Sequence, residues 1–145
     1  MKYSQIVAYV RKIGHFDTEE EAENAICVVA RAFAQRLSEK AASKMASQLP
    51  GEIASTMTAV SGHGEFGLPD FFNRIAQNLA IGQAEAFHHA EVVLSVLQDA
   101  LPTEILERVF AGLNPEFRNF LNASAVLDKR EGFSLTKAAV RLSGK

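Results

Sequence analysis

One cysteine, Cys27, is all the thiol chemistry that this 145-residue sequence holds. A lone thiol excludes an internal disulfide framework and any multi-cysteine metal centre, and it suits a reducing compartment. Long apolar runs are missing as well. The opening "MKYSQIVAYVRK" is far short of a signal-peptide core or of the roughly 20 apolar residues that span a bilayer, so the expected location is cytoplasmic, with no membrane partner. No stretch alternates apolar and polar residues long enough to make a strand, and the β-branched residues fall inside helical patterns. Nor is there an excess of cations. The net charge is −2, with residues 1–64 balanced, 65–127 acidic and 128–145 basic. Only that tail, with Lys129, Arg130, Lys137, Arg141 and Lys145, offers a phosphate-binding face, and its single aromatic makes no base-stacking series, so a nucleic-acid partner is disfavoured.

What is present is apolar residue at helical spacing. Apolar residues make up 48% and charged residues 22%, which places the chain among soluble globular proteins rather than disordered ones. Laid over each other, residues 22–59 and 86–123 agree in character: Ala22 with Ala86, Val28 and Val29 with Val92 and Val93, Phe33 with Leu97, Leu37 with Leu101. The register continues through Met45 with Val109, Leu49 with Leu113, Ile53 with Phe117 and Met57 with Leu121. Before residue 18 the spacing lengthens by one, and Ile6, Val7 and Val10 fall on Phe71, Phe72 and Ile75. A recurrence of this length is the mark of a repeat architecture.

Each unit reads as four helices. Asp17 or Thr18 caps the second helix, whose first turn holds Glu19, Glu20 and Glu21, where the helix dipole favours negative charge. Its buried line is 22, 26, 29, 33 and 37. Pro50 and Asn114-Pro115 each stop one helix and start the next. The expected fold is all-α: two tandem four-helix units, 1–59 and 68–123, joined by a Gly-rich linker at 60–67 and followed by a basic tail, 124–145, with a short amphipathic helix. "ASAVLDKREG" at 123–132 takes the matching linker place after the second unit. The tail's "FSLTKAAVRLSG" (133–144) echoes "YSQIVAYVRKIG" (3–14), which leaves open a decayed third copy or coincidence between short helices. Either way its stripe must dock, and Phe133, Leu135, Ala139 and Leu142 are the candidate interaction residues.

The opening aromatic-x-x-apolar-apolar helix, an Ala-Glu-rich second helix ending in "FAQRL" or "LQDAL", and the closing "ASQLPGEI" and "FAGLNPEF" together resemble the bacterial and archaeal proteins grouped as domain of unknown function 2267. The resemblance covers about 3–123 and implies tandem helical units. It carries no activity to any residue.

Chemistry-bearing patterns are sparse. Glu85, His88 and His89 in "EAFHH" give the Glu-x-x-His of di-iron carboxylate bundles, but such a site needs a second unit of the kind and two more Glu. The matching positions of the first unit hold Glu21, Asn24 and Ala25, so the expectation is no metal and no cofactor, with His88 on the polar side of its helix. Cys27 falls on a polar face near Arg31, with no base or orienting acid in pattern. "SGHGEFG" lacks phosphate-loop spacing and reads as a flexible turn with a local His63 and Glu65 pair. Seven of ten Phe (66, 71, 72, 87, 110, 117 and 120) fall in the second unit and its entry. The reading that follows is a non-enzymatic helical protein acting by protein–protein interaction or self-association. Its alternatives are a small-ligand or metal-binding protein using the groove between the units and, more weakly, a nucleic-acid binder through the tail.

Overall fold

The structure, a computed structural model, describes residues 2–130, and of 126–130 the helical backbone alone. Among the described residues there are eight α-helices and no strand. They run α1 (Tyr3–Gly14), α2 (Glu19–Arg36), α3 (Glu39–Ala46), α4 (Gly51–Thr58), α5 (Leu68–Leu79), α6 (Gln83–Ala100), α7 (Thr103–Ala111) and α8 (Pro115–Arg130). The tail stripe of Phe133, Leu135, Ala139 and Leu142 lies outside the described residues. No described helix is long and apolar enough to cross a membrane.

Local chemistry sets the helix starts. Thr18 caps α2 by accepting the Glu21 amide at 3.1 Å, and Ser38 caps α3 by accepting that of Ala41 at 3.1 Å. Pro69 stands in the first turn of α5. Asn114, which interrupts the Leu-Pro found in the first half, gives α8 a side-chain cap that α4 lacks: its Oδ1 accepts the Phe117 amide at 2.9 Å.

Two long helices make the centre. α2 packs on α1, α4, α5 and α6, while α6 packs on α1, α2, α5 and α8, and α3 joins α4 to α7. Because α6 is covered on so many sides, Val92 through Leu97 are all buried in sequence, as a helix apolar around its circumference requires. Val28, the counterpart of Val92, is only half-buried on the more open α2. Phe33, Phe71 and Phe117 link the halves, with ring centroids 6.3 Å and 5.4 Å apart along the series. Burying each ring is worth about 1.5–3 kcal/mol, with some further gain from the edge-to-face contact.

Two expectations need correction. The linker expected at 123–132 is helical through Arg130, because helix formers run to that point and Ser124, fully buried, satisfies its hydroxyl by donating to the Phe120 carbonyl at 2.8 Å. The 60–67 segment is non-helical, but it is pinned. His63 Nδ1 donates to the carbonyls of Ala34 at 2.9 Å and Leu37 at 2.8 Å, and the Gly64 amide donates to Gln35 at 2.8 Å. His63 therefore covers the end of α2.

Candidate functional site

Two helix ends build the principal groove. α1 and α5 each finish in a Schellman-type turn: the amide of His15 bonds to Lys12 and that of Phe16 to Arg11, while Ala80 bonds to Gln77 and Ile81 to Ala76. His15 and Ala80 hold left-handed backbone conformations at those ends. The residue after each, Phe16 or Ile81, is thereby turned toward α6, and both line one groove of about 580 Å³. Glu21 and Asn24 of α2 face it from one side, and Glu85, His88 and His89 of α6 from the other. The sequence had matched Glu21 with Glu85 and Asn24 with His88; the fold brings these matched positions around one space.

Gly14 makes the close packing possible. A Cβ there would stand 2.5 Å from Phe16 Cε2, so only glycine lets the ring fold back over the end of α1. From that position Phe16 meets His89 edge-on at 4.8 Å and His88 at 6.3 Å. His88 Nε2 donates to the Gly14 carbonyl at 3.1 Å, joining α6 to α1. His88, expected on the polar side of α6, is half-buried there against α1. His89 Nδ1 donates to the Glu85 carbonyl one turn back at 2.6 Å, which assigns the lone pair of the neutral ring to Nε2. Burial lowers the His89 pKa, the His88 ring adds to that effect, and the Glu85 carbonyl, Glu85 carboxylate and Glu21 partly oppose it.

This geometry disperses the candidate metal ligands. His88 and His89 stand with ring centroids 6.3 Å apart and nearly perpendicular, the His88 Nε2 is already engaged, and the Glu85 carboxylate is exposed. No group of three His, Cys, Asp or Glu suited to a metal ion forms among the described residues. What the groove can do is hold a small amphipathic molecule between aromatic and aliphatic walls, with two carboxylates and an imidazole lone pair for polar contact.

A family model described as an uncharacterized conserved protein (DUF2267) matches residues 3–120. The chain belongs to the DUF2267 family. No curated protein and no solved structure matches it. The matched DUF2267 region includes both helix-end turns and all of the groove.

Three features of this DUF2267 chain escaped sequence reasoning. Phe72, Phe87 and Phe120 form a triangle of rings with centroids 5.2–5.5 Å apart, and Phe87 is 42% exposed, the one large apolar side chain left so open among the described residues. Arg36, at the end of α2, is buried with 5% of its surface exposed. Tyr3 donates to the Glu23 carboxylate, and burial, followed by the negative charge of Glu23, Cys27 and Glu52, pushes its phenol up to about 12. The Phe excess signalled the first; neither of the others has a local motif. Cys27 is half-buried, with Arg31 Nη2 donating to its Sγ at 3.5 Å, and the Sγ lies 3.9 Å from Thr56 Oγ1, whose hydroxyl donates to the Glu52 carbonyl.

Proposed function

We propose that this DUF2267 protein is a non-enzymatic cytoplasmic binding protein that acts through protein–protein interaction or self-association, on a frame of two tandem four-helix units, 1–59 and 68–123. Exposure of Phe87 over the Phe72 and Phe120 rings carries the interaction reading. A lone exposed aromatic is ordinary, but a ring backed by a rigid aromatic pair is the kind of anchor that interfaces use. The tandem frame is supported by helices of 12, 18 and 8 residues followed by 12, 18 and 9, by the two matching turns, and by reciprocal packing of α1 on α6 and α5 on α2.

Sedimentation velocity over a concentration series, with wild type and Phe87→Glu, tests self-association. A photocrosslinking amino acid at position 87 in living cells tests a foreign partner. A dimer that Phe87→Glu dissolves, or one discrete cross-linked product, supports the proposal. A monomer at all concentrations together with no product from position 87 overturns it.

A second reading, a small-ligand protein using the groove between the units, is favoured by the convergence of matched residues around that 580 Å³ space. Saturable ligand-induced shifts of the His88 and His89 ring resonances in the wild type would distinguish it, with Asn24→Ala, on the facing wall of the groove, expected to weaken the binding they report.

A further inference from the structure

On another side of the molecule, the end of α2 and the start of α3 border a cavity of about 270 Å³ lined by Arg36, Ser38, His63 and Glu65, with α7 along one wall. Arg36 is its unusual member. Its Nε is shut off from solvent and has no hydrogen-bond acceptor, and no carboxylate among the described residues pairs with the guanidinium. The guanidinium carbon lies 5.2 Å from the centroid of the Phe117 ring, which offsets only part of the cost of burying the charge. An N–H donor this buried, on a charged group, calls for an acceptor.

The surroundings favour an anionic one. α3 opens at the cavity, so the positive end of its dipole lies there, with the Ser38 hydroxyl engaged by the Ala41 amide. The opposing negative end of α2 is covered, because His63 Nδ1 donates to the carbonyls of Ala34 and Leu37. An adjoining hollow of about 320 Å³ shares Ser38 and Ala41 with the cavity and is lined further by Lys40, Lys44 and Arg108. Glu65 is the one carboxylate lining either space, and it is exposed.

We propose that this cavity is a binding site for a small phosphate-class oxyanion, with Arg36 as its anchor and Lys40, Lys44 and Arg108 extending it for a second phosphoryl group. Two adjoining hollows suit a diphosphate better than a single carboxylate, and four cations exceed what one carboxylate needs. The small volumes of the two hollows suit a free small molecule, and the acidic charge of residues 65–127 works against nucleic acid.

Binding of inorganic phosphate and of pyrophosphate to the full chain, at constant ionic strength with chloride as reference, provides the test. Calorimetry would give affinity, and the Arg36 Nε–H resonance would report the site. Expected are saturable binding with pyrophosphate tighter than phosphate, a shift of that resonance, and a loss of about tenfold or more in affinity in Arg36→Met, which keeps the stem over Phe117. Lys44→Ala combined with Arg108→Ala, both away from the core, should weaken pyrophosphate more than phosphate. Glu65→Gln should strengthen both. No saturable binding of either anion to the wild type overturns the proposal. So does unchanged affinity in folded Arg36→Met, tighter binding of a short single-stranded oligonucleotide than of pyrophosphate, or Glu65→Gln destabilising the free protein as much as Arg36→Met does, which would make Glu65 the counter-ion.

Discussion

His15 and Ala80, 65 residues apart, occupy the same left-handed conformation, with φ 56° and ψ 40° at one and φ 54° and ψ 48° at the other. Each ends a 12-residue helix and turns the next apolar residue into the groove. Neither is glycine, so each carries a left-handed cost of roughly 1–2 kcal/mol, which glycine would avoid while losing about 0.5–1 kcal/mol to its freer unfolded chain. His15→Gly and Ala80→Gly should therefore each stabilise by about 0.5–1 kcal/mol. Denaturant midpoints check this. Destabilisation at both sites would show that these turns are not held as described.

Much of this fold was legible because burial leaves a periodic mark. Of the residues paired between 22–59 and 86–123, Val28 alone escapes full burial, and the caps at Thr18 and Ser38 stand where their side chains allow. The length of α8 was misread because a Gly-rich loop in the first half was carried onto "ASAVLDKR", which contains no helix breaker. His63, His88 and Arg36 were misread or missed for another reason. Their partners are backbone carbonyls or rings 26 to 81 residues away, and a carbonyl leaves no trace in sequence. The groove itself needed two corners of the fold to meet.

Leu49 and Leu113 occupy matched places before α4 and α8, with 8% and 4% of their surface exposed. Truncating either to Ala should cost about 2–5 kcal/mol, the range for a buried Leu whose cavity does not collapse. Losses under half of the lower figure at both sites, by denaturant midpoint, would contradict their place in the core.

Acid should act on the groove through His89. Its folded pKa lies below the ordinary value of 6.5, so folding favours the neutral ring. That contribution to stability is fully present above pH 6.5 and is lost as pH falls through the folded value. His89→Gln should flatten this part of the stability profile, and proton NMR titration of the ring should give a midpoint below 6.5. A midpoint above it would refute the buried, neutral assignment.

Alkali should act at the other end of α1. The Tyr3 phenol, raised to about 12 from 10.0, favours its protonated form in the fold. Its contribution is complete below pH 10 and disappears as pH rises from 10 through 12. Absorbance titration of Tyr9→Phe, which leaves Tyr3 as the single phenol, should give a midpoint near 12, and Tyr3→Phe should remove that step together with its share of alkaline destabilisation.

Gly14 gives the sharpest test of how the groove is held, because two effects of opposite sign meet at one position. Alanine is the better helix former by about 0.8–1 kcal/mol, and Gly14 is the last residue of α1 with no left-handed requirement of its own. Against this, the added Cβ would fall 2.5 Å from Phe16 Cε2 and 2.9 Å from Cδ2, so the ring would have to move off His89 and His88. The steric cost of such overpacking is about 1–3 kcal/mol and should prevail. Gly14→Ala is expected to destabilise the wild type by a net of up to ~2 kcal/mol. In a Phe16→Ala background the obstacle is gone, and the same substitution should be neutral or stabilising. Chemical denaturation of the four proteins of this cycle measures the coupling. Equal effects of Gly14→Ala in both backgrounds would mean that Phe16 does not fold back over the end of α1, and the groove wall would have to be redrawn.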